Sequence, residues 1–151
     1  MIIKELDLEM YRKLMTDFFY NVFTKEPWND DWSDTDQLNA YIEDLAGKCN
    51  SLSFGFFEND DISEKTMLAL SMGSVKHWYR GTEYLIDELC VRTDIQGKGI
   101  GTLFLDAMEK ELINNDIRKI FLLTDRDAPA FEFYKKRGFI LEDMVALHKS
   151  F

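Results

Sequence analysis

"VRTDIQGKGIG", Val91 to Gly101, decides how this chain is read. It follows an apolar run, "YLIDELCV" over Tyr84 to Val91, and opens onto a helical pattern from Thr102 to Asn114 with Leu105, Met108 and Leu112 on one side. Gly97, Gly99 and Gly101 put three glycines into five positions. A strand, a glycine-rich turn and a helix in that order receive an anion well. The first helical N–H groups lack acceptors within the helix, and the helix dipole adds positive potential. Glycine leaves no Cβ to hold a ligand off the backbone. Lys98 adds a charge at the rim. A phosphate or pyrophosphate is the expected ligand class. The two common nucleotide patterns fail: no Lys–Ser/Thr pair completes a P-loop, and a G-x-G-x-x-G frame puts Thr102 or Phe104 where its third glycine belongs.

Outward from this turn the chain alternates between two periods. Ile2 to Lys4 reads as a short strand, and Leu8 to Phe23 as a helix whose apolar face carries Tyr11, Leu14, Met15, Phe18, Phe19 and Val22. "TKEPWNDDWSD", Thr24 to Asp34, is a polar loop with two tryptophans. Ser33 or Asp34 caps a second helix that runs through Ala46 and stops at Gly47. "SLSFGFFE" and "MLALSMGSVKHW" are strands joined by a polar turn, and "YLIDELCV" is apolar enough to be central. After the Thr102 helix come "KIFLLT" as a buried strand and "APAFEFYKKRG" as a short helix ended by Gly138. "FILED" and "VALHKS" complete the pattern as terminal strands. The order β-α-α-β-β-β-α-β-α-β-β, with no repeat or linker, describes one α/β domain spanning residues 1–151.

Composition narrows the function. The chain is 46% hydrophobic and 30% charged with 2 prolines, as an ordered globular protein is. A formal net charge of −10 opposes general nucleic-acid binding, which needs a basic surface, and suits a cationic small molecule. No run reaches the roughly 20 apolar residues of a membrane span. Lys4, Glu5 and Asp7 interrupt the first residues, unlike a signal peptide, so a reduced cytoplasmic setting is expected. Cys49 and Cys90 form neither a disulfide framework nor a metal pattern, and His77 and His148 lie far apart; no metal is expected.

Two motifs carry a resemblance. "QGKGIG", Gln96 to Gly101, matches the (Q/R)-x-x-G-x-(G/A) acetyl-CoA motif of the GNAT N-acetyltransferase superfamily, and "FYKKRGF", Phe133 to Phe139, resembles its second signature after the next strand. The element order is similar too, so the resemblance covers nearly the whole chain. It implies the GNAT (acyl-CoA N-acyltransferase) fold, a central mixed, mostly antiparallel twisted sheet flanked by helices on both faces. It also implies acetyl-CoA as co-substrate. By that analogy the N–H groups of Gln96, Gly97, Lys98, Gly99, Ile100, Gly101 and Thr102 hold the pyrophosphate. The strand edge Leu89, Cys90 and Val91 pairs with the pantetheine arm, and Ala130, Phe133 and Tyr134 line the thioester end. Asp127 stands where many members carry Asn; a carboxylate cannot donate the hydrogen bond an amide would.

The implied reaction is direct acyl transfer to an amine. An amine of pKa ~10 must lose a proton before it attacks, and a thiolate of pKa ~8.5 leaves more readily beside an acid. Tyr134 matches the tyrosine that many GNAT enzymes use as that acid. Asp87 and Glu88 are carboxylates inside an apolar strand, costly there unless paired or facing a cleft. Neighbours on a strand point to opposite faces, so one of them is expected at the site. "I-D-E" resembles the corresponding strand of aminoglycoside 6'-N-acetyltransferases and favours Asp87, with Glu88 or a water relay as alternatives. "EPWNDDW", Glu26 to Trp32, sits where this fold builds the acceptor wall, and similar PW-N-x-x-W loops occur in aminoglycoside-acetyltransferase-like members. Glu26, Trp28, Asp31 and Trp32 there, with Trp78 and Tyr79 from "KHWYRGTEY", suit an ammonium through ion pairing and cation–π attraction. The expected acceptor is a small cationic amine, aminoglycoside-like or polyamine-like. A protein N-terminal or lysine acetyltransferase and a non-catalytic acyl-CoA-binding module are the alternatives. A homodimer paired through terminal strands is a further expectation of the resemblance.

Overall fold

A computed structural model describes residues 1–151. Five strands form one sheet in sequence order: β1 (Ile2–Glu5), β2 (Ser51–Phe57), β3 (Met67–Trp78), β4 (Gly81–Val91) and β5 (Lys119–Leu122). The first three pairings are antiparallel; β4 and β5 are parallel. The sheet separates two cores. On one face α1 (Leu8–Phe23) and α2 (Thr35–Ala46) bury Met15, Phe19 and Ile42 against Phe57, Leu70 and Met72. On the other, α3 (Ile100–Asn114) buries Phe104, Leu105 and Met108 against Phe54, Phe56 and Tyr84. The short α4 (Pro129–Lys136) follows β5. The mixed, mostly antiparallel sheet with helices on both faces is the architecture expected from the sequence.

Local signals account for the helix ends. Asp7 caps α1 by accepting from the Met10 N–H, and Asp34 caps α2 by accepting from the N–H groups of Asp36 and Gln37. Gly47 closes α2 and Pro129 opens α4. Gly138, at φ +88°, turns the chain after α4.

Two expectations are corrected. "KIFLLT" is not a buried strand: β5 is four residues long and half-buried, an edge strand paired only with β4. "FILED" and "VALHKS" are not strands. Residues 139–151 have no regular structure and expose Ile140, Val145 and Leu147. Alternation supplies a strand's side chains but not its partner, and within this chain the tail pairs with no sheet edge. It is tied down locally by Phe139 packed on Tyr134 (ring centroids 5.1 Å apart) and by the Lys119–Glu142 ion pair at 3.3 Å. A cleft of about 960 Å³ opens between α3, β5, α4 and the tail; Tyr134 lines it, but none of Gln96 to Thr102 does.

Candidate active site

The glycine turn has the form its sequence announced. A short 3-10 turn, Thr93–Ile95, leads from β4 into the loop, and Gly97 (φ +73°) and Gly99 (φ +84°) take left-handed conformations that side chains rarely adopt. The backbone N–H groups of Gly97, Gly99, Ile100, Gly101 and Thr102 donate to no acceptor within the protein; the first α3 bond is from Leu103 to Gly99. A Cβ on Gly97 or Gly99 would meet nothing within 4 Å, so the cradle opens outward. Gln96 and Lys98 are used to hold it. The Gln96 amide donates to the Val91 carbonyl at 3.0 Å, and the Lys98 ammonium donates to the Asp94 carbonyl at 3.0 Å. Arg92 pairs with Asp94 at 2.8 Å and Glu58 at 3.7 Å.

α4 packs against this cradle. A Cβ on Gly101 would lie 3.5 Å from the Phe133 ring and 3.6 Å from Val91, which is ordinary contact. An ion pair joins Arg137, at the C-terminal end of α4, to Asp106 of α3. The two sequence motifs are therefore neighbours in space. Ala130 is half-buried on the same helix, and Asp127 is exposed just before it. Tyr134 is buried beside Phe133 and Phe139, yet its hydroxyl makes no hydrogen bond within the protein. Burial pushes its pKa up, and the neighbouring Cys90 and Glu88 add to the effect. It holds its proton at neutral pH.

The sheet changes character beside it. β5 pairs with β4 only along Glu83 to Ile86, so the β4 edge from Asp87 onward has no strand beside it. The register of β3 and β4 also slips there. Met72 pairs with Glu88 and Gly73 with Ile86, leaving Asp87 as an extra, unpaired residue: a β-bulge. Gly73 makes room for it, because a Cβ at that position would overlap the Leu85 carbonyl oxygen and reach within 3.0 Å of the Tyr84 ring.

The bulge breaks the strand alternation on which the sequence reading of Asp87 and Glu88 relied. In a regular strand Tyr84, Ile86, Glu88 and Cys90 would share one face. Here Tyr84 and Ile86 lie in the α3 core while Cys90 lies in the α1/α2 core. Glu88 turns with Cys90. The Tyr41 hydroxyl of α2 donates to its carboxylate at 2.6 Å. Both carboxylates are pushed above the usual carboxylate range, chiefly by burial. For Asp87, Lys48 and Lys76 oppose the rise; for Glu88, the Tyr41 hydrogen bond opposes it while the charges of Asp30 and Asp87 reinforce it. No group of three or more His, Cys, Asp or Glu side chains stands where it could hold a metal ion.

The tryptophan loop divides its labour. Trp32 is half-buried, stacked on Tyr41 (centroids 5.1 Å apart, planes at 18°) and edge-on to Phe19 at 5.4 Å. Trp28 is exposed, with one contact to Phe23 at 5.7 Å. Glu26, Asp30 and Asp31 are exposed; Asp31 accepts from the Ser33 N–H, and the Ser33 side chain and N–H together lower its pKa. Trp78 and Tyr79 sit at the tip of the β3–β4 hairpin, where Trp78 pairs with Gly81. At about 3.4 Å per residue that tip is roughly 20 Å along the strand from the bulge, so the structure does not gather them with the carboxylates. Sequence reasoning missed Tyr41 and Gly73. The only readable signal was a glycine inside an apolar strand, which marks a bulge or a close backbone approach.

Comparison with known proteins gives three kinds of result. The family model for the acetyltransferase (GNAT) family matches residues 8–139. No curated protein matches the chain at a significant level. Many solved structures do. An aminoglycoside acetyltransferase from an uncultured soil metagenomic sample, in complex with sisomicin, superposes with a TM-score of 0.72 at 19% identity, covering 99% of this chain and 95% of its own. A possible acetyltransferase from Clostridium difficile 630 gives 0.76 at 15% identity over 99% and 97%. AAC(6')-Iy in complex with the bisubstrate analog CoA-S-monomethyl-acetylneamine gives 0.68 at 14% identity over 99% and 97%. At such identities the likeness establishes the fold. With the family model matching most of its length, over both motifs, the chain belongs to the acetyltransferase (GNAT) family.

Proposed function

We propose that the protein is an acetyl-CoA-dependent N-acetyltransferase acting on a primary amine of a small cationic acceptor, aminoglycoside-like or polyamine-like. The observation that carries this reading is the bulge in β4. It turns Glu88, a carboxylate of raised pKa, to the face that Tyr41 and Cys90 occupy, with Asp87 exposed next to it in sequence and the unpaired strand edge and free N–H cradle following along the chain.

The residues fit the donor. Five unsatisfied backbone N–H groups suit a pyrophosphate, and the free edge of Leu89 to Val91 suits an amide-containing arm, which would add to it as a strand does. The Val91 carbonyl already accepts from Gln96, so the pairing draws on the edge before it. Acetyl-CoA bound there would supply the acetyl thioester. With acetyl-CoA bound, Glu88 would take one proton from the acceptor ammonium, and the nitrogen lone pair would form the new C–N bond as the C–S bond breaks. Tyr134, protonated at working pH, returns a proton to the departing sulfur. The second nitrogen proton would leave to solvent, from which the tyrosinate at Tyr134 is reprotonated. Glu88 is favoured as base because it is half-buried on the face of Cys90 and held there by the Tyr41 hydroxyl, whereas Asp87 is exposed; Asp87 and Asp30 supply negative potential for a cation. Trp28, Glu26 and Asp31 form the open side of the acceptor wall. Free, exposed Cys49 fits a reducing cytoplasmic setting. The exposed apolar tail beside the free β5 edge favours a second copy of the chain as partner, which sizing in solution checks.

The test is release of free thiol from acetyl-CoA with kanamycin, spermidine and a lysine peptide as acceptors. Turnover with a polycation, reduced about 10²-fold or more in Glu88→Gln, is expected for loss of a general base. Turnover on the peptide alone would move the assignment to protein acetylation. Binding of coenzyme A without turnover on any amine would leave a binding module. No thermal shift with coenzyme A would end the reading altogether.

A further inference from the structure

The acceptor-side loop and the proposed base are joined by one side chain. Tyr41 lies on α2, 47 residues from Glu88 in sequence, and donates its hydroxyl to the Glu88 carboxylate at 2.6 Å. Its ring is held on two sides. Trp32 stacks on it with centroids 5.1 Å apart, and Phe19 meets it edge-on at 5.8 Å. Phe19 also contacts Trp32, so the three rings form a closed group that leaves the Tyr41 ring little freedom. Glu88 has no other hydrogen-bond donor and no ion pair within the protein, although a half-buried carboxylate accepts several donors readily. Its remaining acceptor positions are free to meet a ligand.

We propose that Tyr41 is a positioning residue for acyl transfer: its hydroxyl fixes the orientation of the Glu88 carboxylate, and its stacking on Trp32 makes that orientation depend on the tryptophan loop that faces the acceptor. This rests on the reading of Glu88 as the base. Tyr41 from α2 touches Glu88, and the titratable groups electrostatically coupled to it are Asp30 from the loop after α1, Asp87 and Cys90 from β4, and Tyr134 from α4. Of these, Tyr41 alone favours the ionised form. Asp30 and Asp87 oppose it, as does burial itself. Removing the hydroxyl therefore raises the Glu88 pKa and delays its ionisation to higher pH. Phenylalanine retains the ring, so the aromatic group and the fold survive the substitution.

The experiment compares wild type with Tyr41→Phe in two ways. First, protein labelled with 13C at the glutamate side-chain carboxyl is titrated by NMR without any substrate, with Glu88→Gln identifying the resonance. The Glu88 midpoint should rise by about one pH unit, since a hydrogen bond to a charged group typically matters by that order. Second, thiol release from acetyl-CoA with the amine that supports turnover is followed against pH. The acidic limb of kcat/KM should move up by the same amount, kcat should recover at high pH, and the KM for acetyl-CoA should stay unchanged. An unchanged or lowered NMR midpoint would overturn the positioning role, whatever the activity. A raised midpoint with an unmoved acidic limb would instead overturn Glu88 as base, and the catalytic part of the proposal with it. Trp32→Phe, which narrows the platform under Tyr41 without touching the hydroxyl, should broaden the Glu88 resonance or shift its midpoint in the same direction. A wild-type titration there would remove the link to the loop.

Discussion

Gly73→Ala tests the bulge on which the site depends. The added methyl would overlap the Leu85 carbonyl oxygen and stand 3.0 Å from the Tyr84 ring, so backbone and not only a flexible side chain has to move. Forcing a methyl into a packed core costs about 1–3 kcal/mol. The movement also strains Tyr84, whose buried hydroxyl donates to the Leu52 carbonyl at 2.9 Å and lies 3.1 Å from Ser71 Oγ; weakening either bond adds about 1 kcal/mol. A total of about 2–4 kcal/mol lowers the melting temperature by roughly 5–15 °C in a domain of this size. The catalytic effect is larger. The slip at Met72 and Gly73 is what turns Glu88 to the α2 face, and if β4 relaxes into a regular register its carboxylate leaves Tyr41. Thiol release measured well below the melting temperature should then fall about 10²-fold or more, the usual range for losing a general base. Leu112→Ala, a buried truncation in α3 remote from the bulge, is the control: similar destabilisation by a cavity, with turnover largely kept. Gly73→Ala melting within a degree or two of wild type and turning over normally would refute the argument. So would a loss of activity no greater than that of the control.

Tyr134→Phe should leave stability and coenzyme A binding unchanged, because the hydroxyl makes no hydrogen bond within the protein, while kcat falls about 10²-fold; thermal shift and thiol release check the two halves. Glu88→Gln should lose activity yet melt higher than wild type at pH 7. Burial raises the Glu88 pKa in the folded state, so its favourable contribution is complete below the unfolded value of about 4.3 and is lost as pH rises through the folded value. Glutamine has no charge to desolvate, and the difference in melting temperature should vanish on approaching pH 4. Gly99→Ala places a side chain at φ +84°, a strain of about 1–2 kcal/mol, and should weaken coenzyme A binding in a thermal-shift titration while leaving the Glu88 NMR midpoint unchanged.

How much of this was legible depended on range. Helices α1, α2 and α3 were written in apolar residues at helical spacing with Asp34 and Gly47 at the ends of α2, and the structure places them within two residues of the pattern. The glycine turn was legible because its requirement is local: positive φ at Gly97 and Gly99, and helical N–H groups without acceptors. The face of Glu88 was not. Alternation puts it with Tyr84 and Ile86, and the slip that turns it to Tyr41 is decided by β3, through a glycine that resembles any other weak strand residue until its neighbour is known. Tyr41 beside Glu88 was invisible for the same reason: helical periodicity aligns Tyr41 with the edge of the Leu38–Ile42–Leu45 face but says nothing about what lies across from it. Trp28 and Trp32 share one loop and one residue type, and only packing tells the anchor from the exposed ring. In the tail the alternation of a strand was readable, but no residue there specifies which edge would accept it.

These ranges follow the two halves of the site. The half proposed to hold the donor is made of backbone: the N–H groups of Gly97 and of residues 99 to 102 and the edge of Leu89 to Val91, locked to the α4 region by Phe133 against Gly101 and by Arg137 with Asp106. Such a half is described by a short pattern of small residues, so a family model finds it. A backbone cradle would also let a chain of net charge −10 hold an anionic donor, as proposed. The nearest cations are already engaged, Lys98 with the Asp94 carbonyl and Arg92 with Asp94 and Glu58, which leaves neutral amides and the α3 dipole to supply the attraction at short range. The acceptor half is made of side chains from three separate segments, the tryptophan loop, α2 and the bulge of β4. In the proposed reaction its negative charge would repel the donor's phosphates and attract an ammonium, so the field that would weaken a side-chain-based donor site would favour a cationic acceptor. The Glu88–Tyr41–Trp32 group belongs to that half, and substitutions there should change which amine is used before they change whether coenzyme A is bound.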